Sequence, residues 1–134
     1  MEVERYPADF NGVIASAPAQ LPHAVLGWIW DQQAMYPERH SQHPVVRLDQ
    51  LNLLTQSVLK KCQNMDGVIN NPEQCHFNPA RDVPICDNDH QIRCFTKQQI
   101  KVLEKIYSGP TVRGVQYYPG IVPGAENAVG SWSQ

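Results

Sequence analysis

The sequence is short of charge. Asp, Glu, Lys and Arg make up 18% of its 134 residues, and 13 acidic side chains nearly balance 11 basic ones. A chain this close to neutral has no electrostatic case for nucleic acid or an anionic membrane surface as its main partner. It also lacks any apolar run near the ~20 residues that a membrane-spanning helix requires. It has no internal repeat and no low-complexity tract, and its composition excludes collagen, coiled coil and wholesale disorder. The G-x-S-x-G context of a nucleophile elbow is absent. Serines stand at 16, 41, 57, 108, 131 and 133, and Ser16, within Ala15-Ser16-Ala17, reads as a small buried residue. Histidines stand at 23, 40, 43, 76 and 90, with His40 and His43 in a polar loop. No Ser/His/Asp set can be assembled, so the chain by itself is expected to perform no acyl transfer and no catalytic residue is assigned. Cysteine is missing everywhere except one 33-residue window, 62 to 94.

What is present is one domain's worth of chain, punctuated by 11 Pro and 8 Gly. Residues 1–6 have helical propensity but are too few to stand alone, and Pro7 stops them. The run Val13-Ile14-Ala15-Ser16-Ala17, between Gly12 and Pro18, reads as a buried parallel strand whose neighbours are not in the sequence. Residues 22–35 form a helix, with Val25, Trp28, Ile29 and Met35 near helical spacing. Over 45–62 the steps Leu48, Leu51, Leu54, Val58 and Cys62 give the strongest helix signal. Thr96-x-x-Gln99 is a capping box that opens a third helix, Lys97 to Tyr107, with Ile100, Leu103, Ile106 and Tyr107 on one face. Gly109 and Pro110 end it. A small hairpin is expected around Arg113-Gly114, followed by irregular chain. Among the aromatics Trp28, Trp30, Tyr36, Tyr107, Tyr117, Tyr118 and Trp132, helical spacing assigns Trp28 and Tyr107 to the core. The Tyr117-Tyr118 pair places one ring on each face of a ribbon.

Cys62, Cys75, Cys86 and Cys94 are separated by 13, 11 and 8 residues. Structural zinc sites bring ligands in close pairs, so these spacings favour disulfides, with three pairings open. Disulfides point to an oxidising compartment. The N-terminus MEVERYPADF is polar and carries no signal peptide, which leads one to expect missing upstream sequence. Asp66-Gly67 reads as a turn, and Asp82, Asp87 and Asp89 as a solvated acidic face.

Several stretches in order resemble one family. RYPADFNGVIASAPA, CQNMDGVINNPEQCHFNPA, CDNDHQIRCFTKQQIKVLEKIYSGP, Tyr118-Pro119-Gly120 and the PGAE of 123–126 together are similar to tannases and feruloyl esterases, which are secreted α/β-hydrolases. The resemblance implies an α/β-hydrolase fragment. Residues 1–20 are then a piece of the hydrolase core, a helix end and one sheet strand. Residues 21–134 are a mainly helical, disulfide-stapled lid segment with long irregular loops and a small hairpin. It further implies the pairs Cys62–Cys75 and Cys86–Cys94, a secreted location, and a serine carboxylic ester hydrolase acting on feruloyl, galloyl or related aromatic esters. The family's nucleophile would precede Met1, and its Asp and His would follow Gln134. The remainder of the hydrolase domain is then the missing partner, and no substrate-binding residue is assigned.

The family's loop between the first two cysteines binds Ca²⁺. Its counterparts here are Asp66, the amide of Gln63 and the main-chain carbonyl of Val68. Gln63 stands where the family has Asp, and only one Asp-Gly step remains. Calcium affinity follows the number of charged oxygens, so no cofactor is expected and any Ca²⁺ binding should be weak. The alternatives to a lid segment are a free-standing disulfide-stapled binding module and an inactive truncated product.

Overall fold

The computed structural model describes residues 2–14, 16, 22–38, 41–87 and 93–127. Their regular structure is α1 (Glu2–Arg5), α2 (Pro22–Met35), α3 (Leu48–Cys62), α4 (Pro79–Asp82), α5 (Lys97–Ser108) and the strands β1 (Thr111–Val112) and β2 (Val115–Gln116). No helix among the described residues is long and apolar enough to cross a membrane.

The core forms where the apolar stripes of α3 and α5 face inward. Leu51, Leu54 and Val58 on α3 and Ile100, Leu103 and Ile106 on α5 are buried, together with Met35, Val46, Val83 and Phe95. Helix α2 packs on α5, and α4 packs on both α5 and α3. Trp30 fixes the first of these contacts: its Nε1 donates to the Lys105 carbonyl at 2.8 Å, and the Lys105 ammonium sits 4.6 Å over its ring. That pairs a cation with the electron-rich ring face.

The N-termini of α3 and α5 are tied together by two glutamines. Thr96 Oγ1 accepts from the Gln99 amide N–H and Gln99 Oε1 accepts from the Thr96 N–H, completing the capping box. On α3, Gln50 Oε1 accepts from the Arg47 N–H at 3.1 Å. The two side-chain amides then bond to each other, Gln50 Nε2 to Gln99 Oε1 at 3.0 Å and Gln99 Nε2 to Gln50 Oε1 at 2.8 Å. Gln50 Nε2 also donates to the Cys94 carbonyl and Gln99 Nε2 to the Val45 carbonyl. Both amides are buried with every strong group engaged.

Disulfides link Cys62 to Cys75 and Cys86 to Cys94. The second loop is closed at its base by a parallel bridge between Ile85 and Phe95. Asp82 is not the solvated charge expected. Its carboxylate accepts from the Asn78 N–H at 2.9 Å, pairs with Arg81 at 2.8 Å and reaches Lys61 on α3 at 3.8 Å. Arg81 and that N–H hold it down to about 2.

Other expectations also change. Residues 2–5 do form a single helical turn, closed by the Tyr6 N–H donating to the Glu2 carbonyl. Residues 12–14 of the expected buried strand are not in a strand, and Ile14 is 99% exposed. Ser16 is exposed rather than buried, and Ala15 and Ala17 lie outside the described residues. A parallel strand is held by its neighbours, and no described segment pairs with this one. Trp28 is not core: it is 61% exposed, and Val25 and Ile29 also face out. Helix α2 buries Gly27, Ala34 and Met35 instead. It is apolar nearly all round, so spacing alone does not select its inner face.

Past α5 the chain turns through the β1–β2 ribbon, with Thr111 opposite Gln116 and Val112 opposite Val115. Arg113 and Gly114 both have positive φ, 51° and 81°, as a tight two-residue hairpin turn requires. Residues 117–127 then run back as a strap across the end of α5. The crossing is backbone on backbone. A Cβ at Gly109 would strike the main chain of Tyr118 and Gly120, and one at Gly120 would strike the Tyr107 carbonyl.

Candidate functional site

The strap and α2 enclose a groove of about 400 Å³, at the small end of ligand pockets. Its walls are Trp28 and Met35 from α2, Ile106 from α5, and Tyr118 and Val122 from the strap, with Asp31 as the one charged side chain among the lining residues. Gly27 makes the narrow side possible. A Cβ there would stand 3.3 Å from the Tyr118 ring, so only glycine lets that ring lie against the helix without moving. The strap is pinned at its far end by Glu126, which is fully buried. Glu126 Oε1 accepts from the Tyr107 hydroxyl at 2.7 Å and from the Gly124 N–H at 2.8 Å. Burial first, and then the negative charge of Glu126, push the Tyr107 phenol far above its usual range. Phe77 stacks edge-on against Tyr107 at 5.7 Å.

Asp31 has no hydrogen bond or ion pair among the described residues, and burial raises its carboxyl to about 6. A raised carboxylate favours the fold when protonated. Its contribution is therefore fully present below the ordinary value near 4 and is lost as pH rises through about 6. After allowance for solvent screening, that loss is about 1 kcal/mol. Asp31→Asn should raise stability by this amount at neutral pH and leave it unchanged at pH ~4. Thermal melts of both proteins at the two pH values check this, and an equal shift at both would refute it.

In the loop between Cys62 and Cys75, Asn64 organises the turn. Asn64 Oδ1 accepts from the N–H groups of Asp66 and Val68, and the Val68 carbonyl accepts from the Asn64 N–H at 3.0 Å. Asp66 is exposed. Gln63, Asn70, Asn71 and Gln74 line a shallow polar cleft of about 480 Å³, which Asp66 and Val68 do not enter. Among the described residues no three His, Cys, Asp or Glu side chains cluster as a metal site. The expected set, the Asp66 carboxylate, the Gln63 amide and a Val68 carbonyl already in a hydrogen bond, does not fit a hard cation that wants six to eight oxygens.

The hydroxyls of Ser41, Ser57 and Ser108 donate to main-chain carbonyls. His40, His90, Asp89 and Trp132 lie outside the described residues, as does the side chain of His23. Spacing did not single out Asp31. The available signal was chemical: it is the only charged residue in the apolar stretch 22–35. Glu126 appeared only as the last letter of a motif.

A family model described as tannase and feruloyl esterase matches residues 1–133. A protein named as an uncharacterized esterase from Xanthomonas campestris is 30% identical, over 98% of this chain and 23% of its own length. Feruloyl esterase C from Talaromyces stipitatus is 31% identical, over 93% of this chain and 24% of its own. The crystal structure of feruloyl esterase B from Aspergillus oryzae superposes with a TM-score of 0.68 at 26% identity, over 95% of this chain and 26% of that one. The chain spans about a quarter of the length of the relatives it matches.

Proposed function

The chain belongs to the tannase and feruloyl esterase family, and from that premise we propose that it is the lid and substrate-specificity segment of a serine carboxylic ester hydrolase. The substrates are aromatic esters of the feruloyl or galloyl type. Residues 1–20 join the hydrolase core, 21–134 form the lid, and the catalytic Ser, Asp and His come from outside this chain. The family match over residues 1–133 carries the reading. The groove supports it, because an apolar slot with aromatic walls is what binds a flat ring. The two disulfides fit an extracellular enzyme.

The chemistry divides accordingly. Bond cleavage needs an activated hydroxyl and a base in hydrogen-bond reach. This chain's part is to seat the acyl ring and exclude water, so that the ester carbonyl meets the nucleophile in one orientation. The test is a chimaera of A. oryzae feruloyl esterase B in which the matching quarter is replaced by this chain. It should hydrolyse methyl ferulate and methyl gallate with a preference different from the parent, while the chain alone hydrolyses neither. A folded chimaera with no esterase activity would refute the lid role. Turnover by the chain alone, abolished by a serine-directed inhibitor, would refute the placement of the catalytic groups.

A further inference from the structure

The groove contains one group that packing does not explain. Asp31 sits half-buried among Trp28, Ile106, Tyr118 and Val122, with no donor among the described residues to satisfy it. Leaving a partly desolvated carboxylate unpaired is costly, and a leucine there would continue the apolar surface of α2. The geometry points to Asp31 as the specificity-determining residue of the groove: it accepts a hydrogen bond from a hydroxyl on the aromatic ring seated between Trp28 and Tyr118. This rests on the reading of the groove as the seat of an aromatic acyl group.

The argument is one of complementarity. The Tyr118 ring closes against α2 at Gly27, and the groove beside it, about 400 Å³, has room for an aromatic acyl ring. Trp28, Ile106, Tyr118 and Val122 line that space with carbon and aromatic surface. No described residue donates to this single charged acceptor, so a ligand that displaces solvent from the groove must bring the donor that replaces it. A ring with a hydroxyl supplies one, whereas the same ring with a methyl ether fills the same space and leaves Asp31 unpaired. Sites built to hydrogen-bond a hydroxyl discriminate strongly against analogues that lack it. Asp31 is not fully enclosed, so the expected discrimination is about tenfold.

The experiment uses the full chain with methyl 4-hydroxycinnamate and methyl 4-methoxycinnamate as probes, followed by titration calorimetry at about pH 7.5, where Asp31 is ionised. The hydroxy ester should bind about tenfold more tightly than the methoxy ester. Asp31→Leu removes a desolvated charge and should fold at least as well as the parent. It should bind the two esters alike, at or above the parent's affinity for the methoxy ester. Trp28→Ala, at an exposed position, should weaken both esters while keeping the preference. Equal affinities in the parent, a preference that survives Asp31→Leu, or binding of neither ester would each overturn the assignment. The readout is binding alone, so it fails separately from the lid role, which the chimaera tests by hydrolysis.

Discussion

Gln99→Leu should cost about 3–5 kcal/mol of folding stability, a large part of the 5–15 kcal/mol typical of a domain. Leucine has nearly the volume of glutamine, so the effect is not a cavity. It comes from what the amide leaves behind. The Thr96 N–H loses its acceptor, the Val45 carbonyl loses its donor, and Gln50 loses both of its bonds to Gln99. Water has little access to the Gln50–Gln99 pair, because both glutamines are buried, while Thr96 and Val45 at its edge are partly exposed. Unmet buried polar groups cost more than the net value of the bonds that satisfied them. Gln50→Leu should be nearly as damaging, since it strands the Arg47 N–H and the Cys94 carbonyl. The double variant should fall short of the sum of the singles by at least about 1 kcal/mol, because the mutual bonds are lost only once. Denaturant unfolding of the four proteins measures it. A Gln99→Leu protein within about 1 kcal/mol of the parent would show that the pair is not the joint between α3 and α5.

That joint marks where the sequence stops being legible. Helices α3 and α5 could be read because their apolar residues step by threes and fours and because Thr96 and Gln99 announce a start. The pairing of Gln99 with Gln50, 49 residues away in the chain, leaves no local trace. Each glutamine looks like an ordinary first-turn residue. Helix α2 could be found but not oriented. Apolar residues surround it, and the face that packs is chosen by its small members, Gly27 and Ala34, which let α5 and the strap come close. Trp28, the bulkiest candidate for the core, was displaced outward for the same reason. The tight turn at Arg113-Gly114 was legible from local chemistry, whereas the crossing of Gly109 and Gly120 needs both segments in view. At the candidate site the aromatic character was visible. The groove itself was not, because it is assembled from residues 27–35, 106–110 and 118–122, with no motif spanning them. Family resemblance drew attention to the Asp66 loop, while Asp31 carries the unsatisfied charge of the groove.

The Asp66 loop also separates two kinds of constraint, and they can be measured against each other. In the chain-entropy account, closing loops the length of Cys62–Cys75 and Cys86–Cys94 stabilises by about 3 kcal/mol each. The separations are 13 and 8 residues, so reduction should cost about 5–6 kcal/mol in total and lower the melting temperature by about 15 °C or more. Calcium should do little. A site with one carboxylate belongs at the millimolar end of the calcium range, and at about 5 mM ion such a site adds only about 1 kcal/mol. A micromolar site under the same conditions would add about 4 kcal/mol or more, and Asp66→Ala would abolish the gain. The loop's own hydrogen bonds favour the first outcome. Asn64 already holds the N–H groups of Asp66 and Val68 and the carbonyl of Val68, which makes the turn self-sufficient. Melting curves of oxidised and reduced chain, each with and without calcium, give the four numbers. A calcium shift comparable to the reduction shift, lost in Asp66→Ala, would mean that the turn opens and gathers oxygens around the ion, and that the metal, not the disulfide, sets the conformation of residues 63–74.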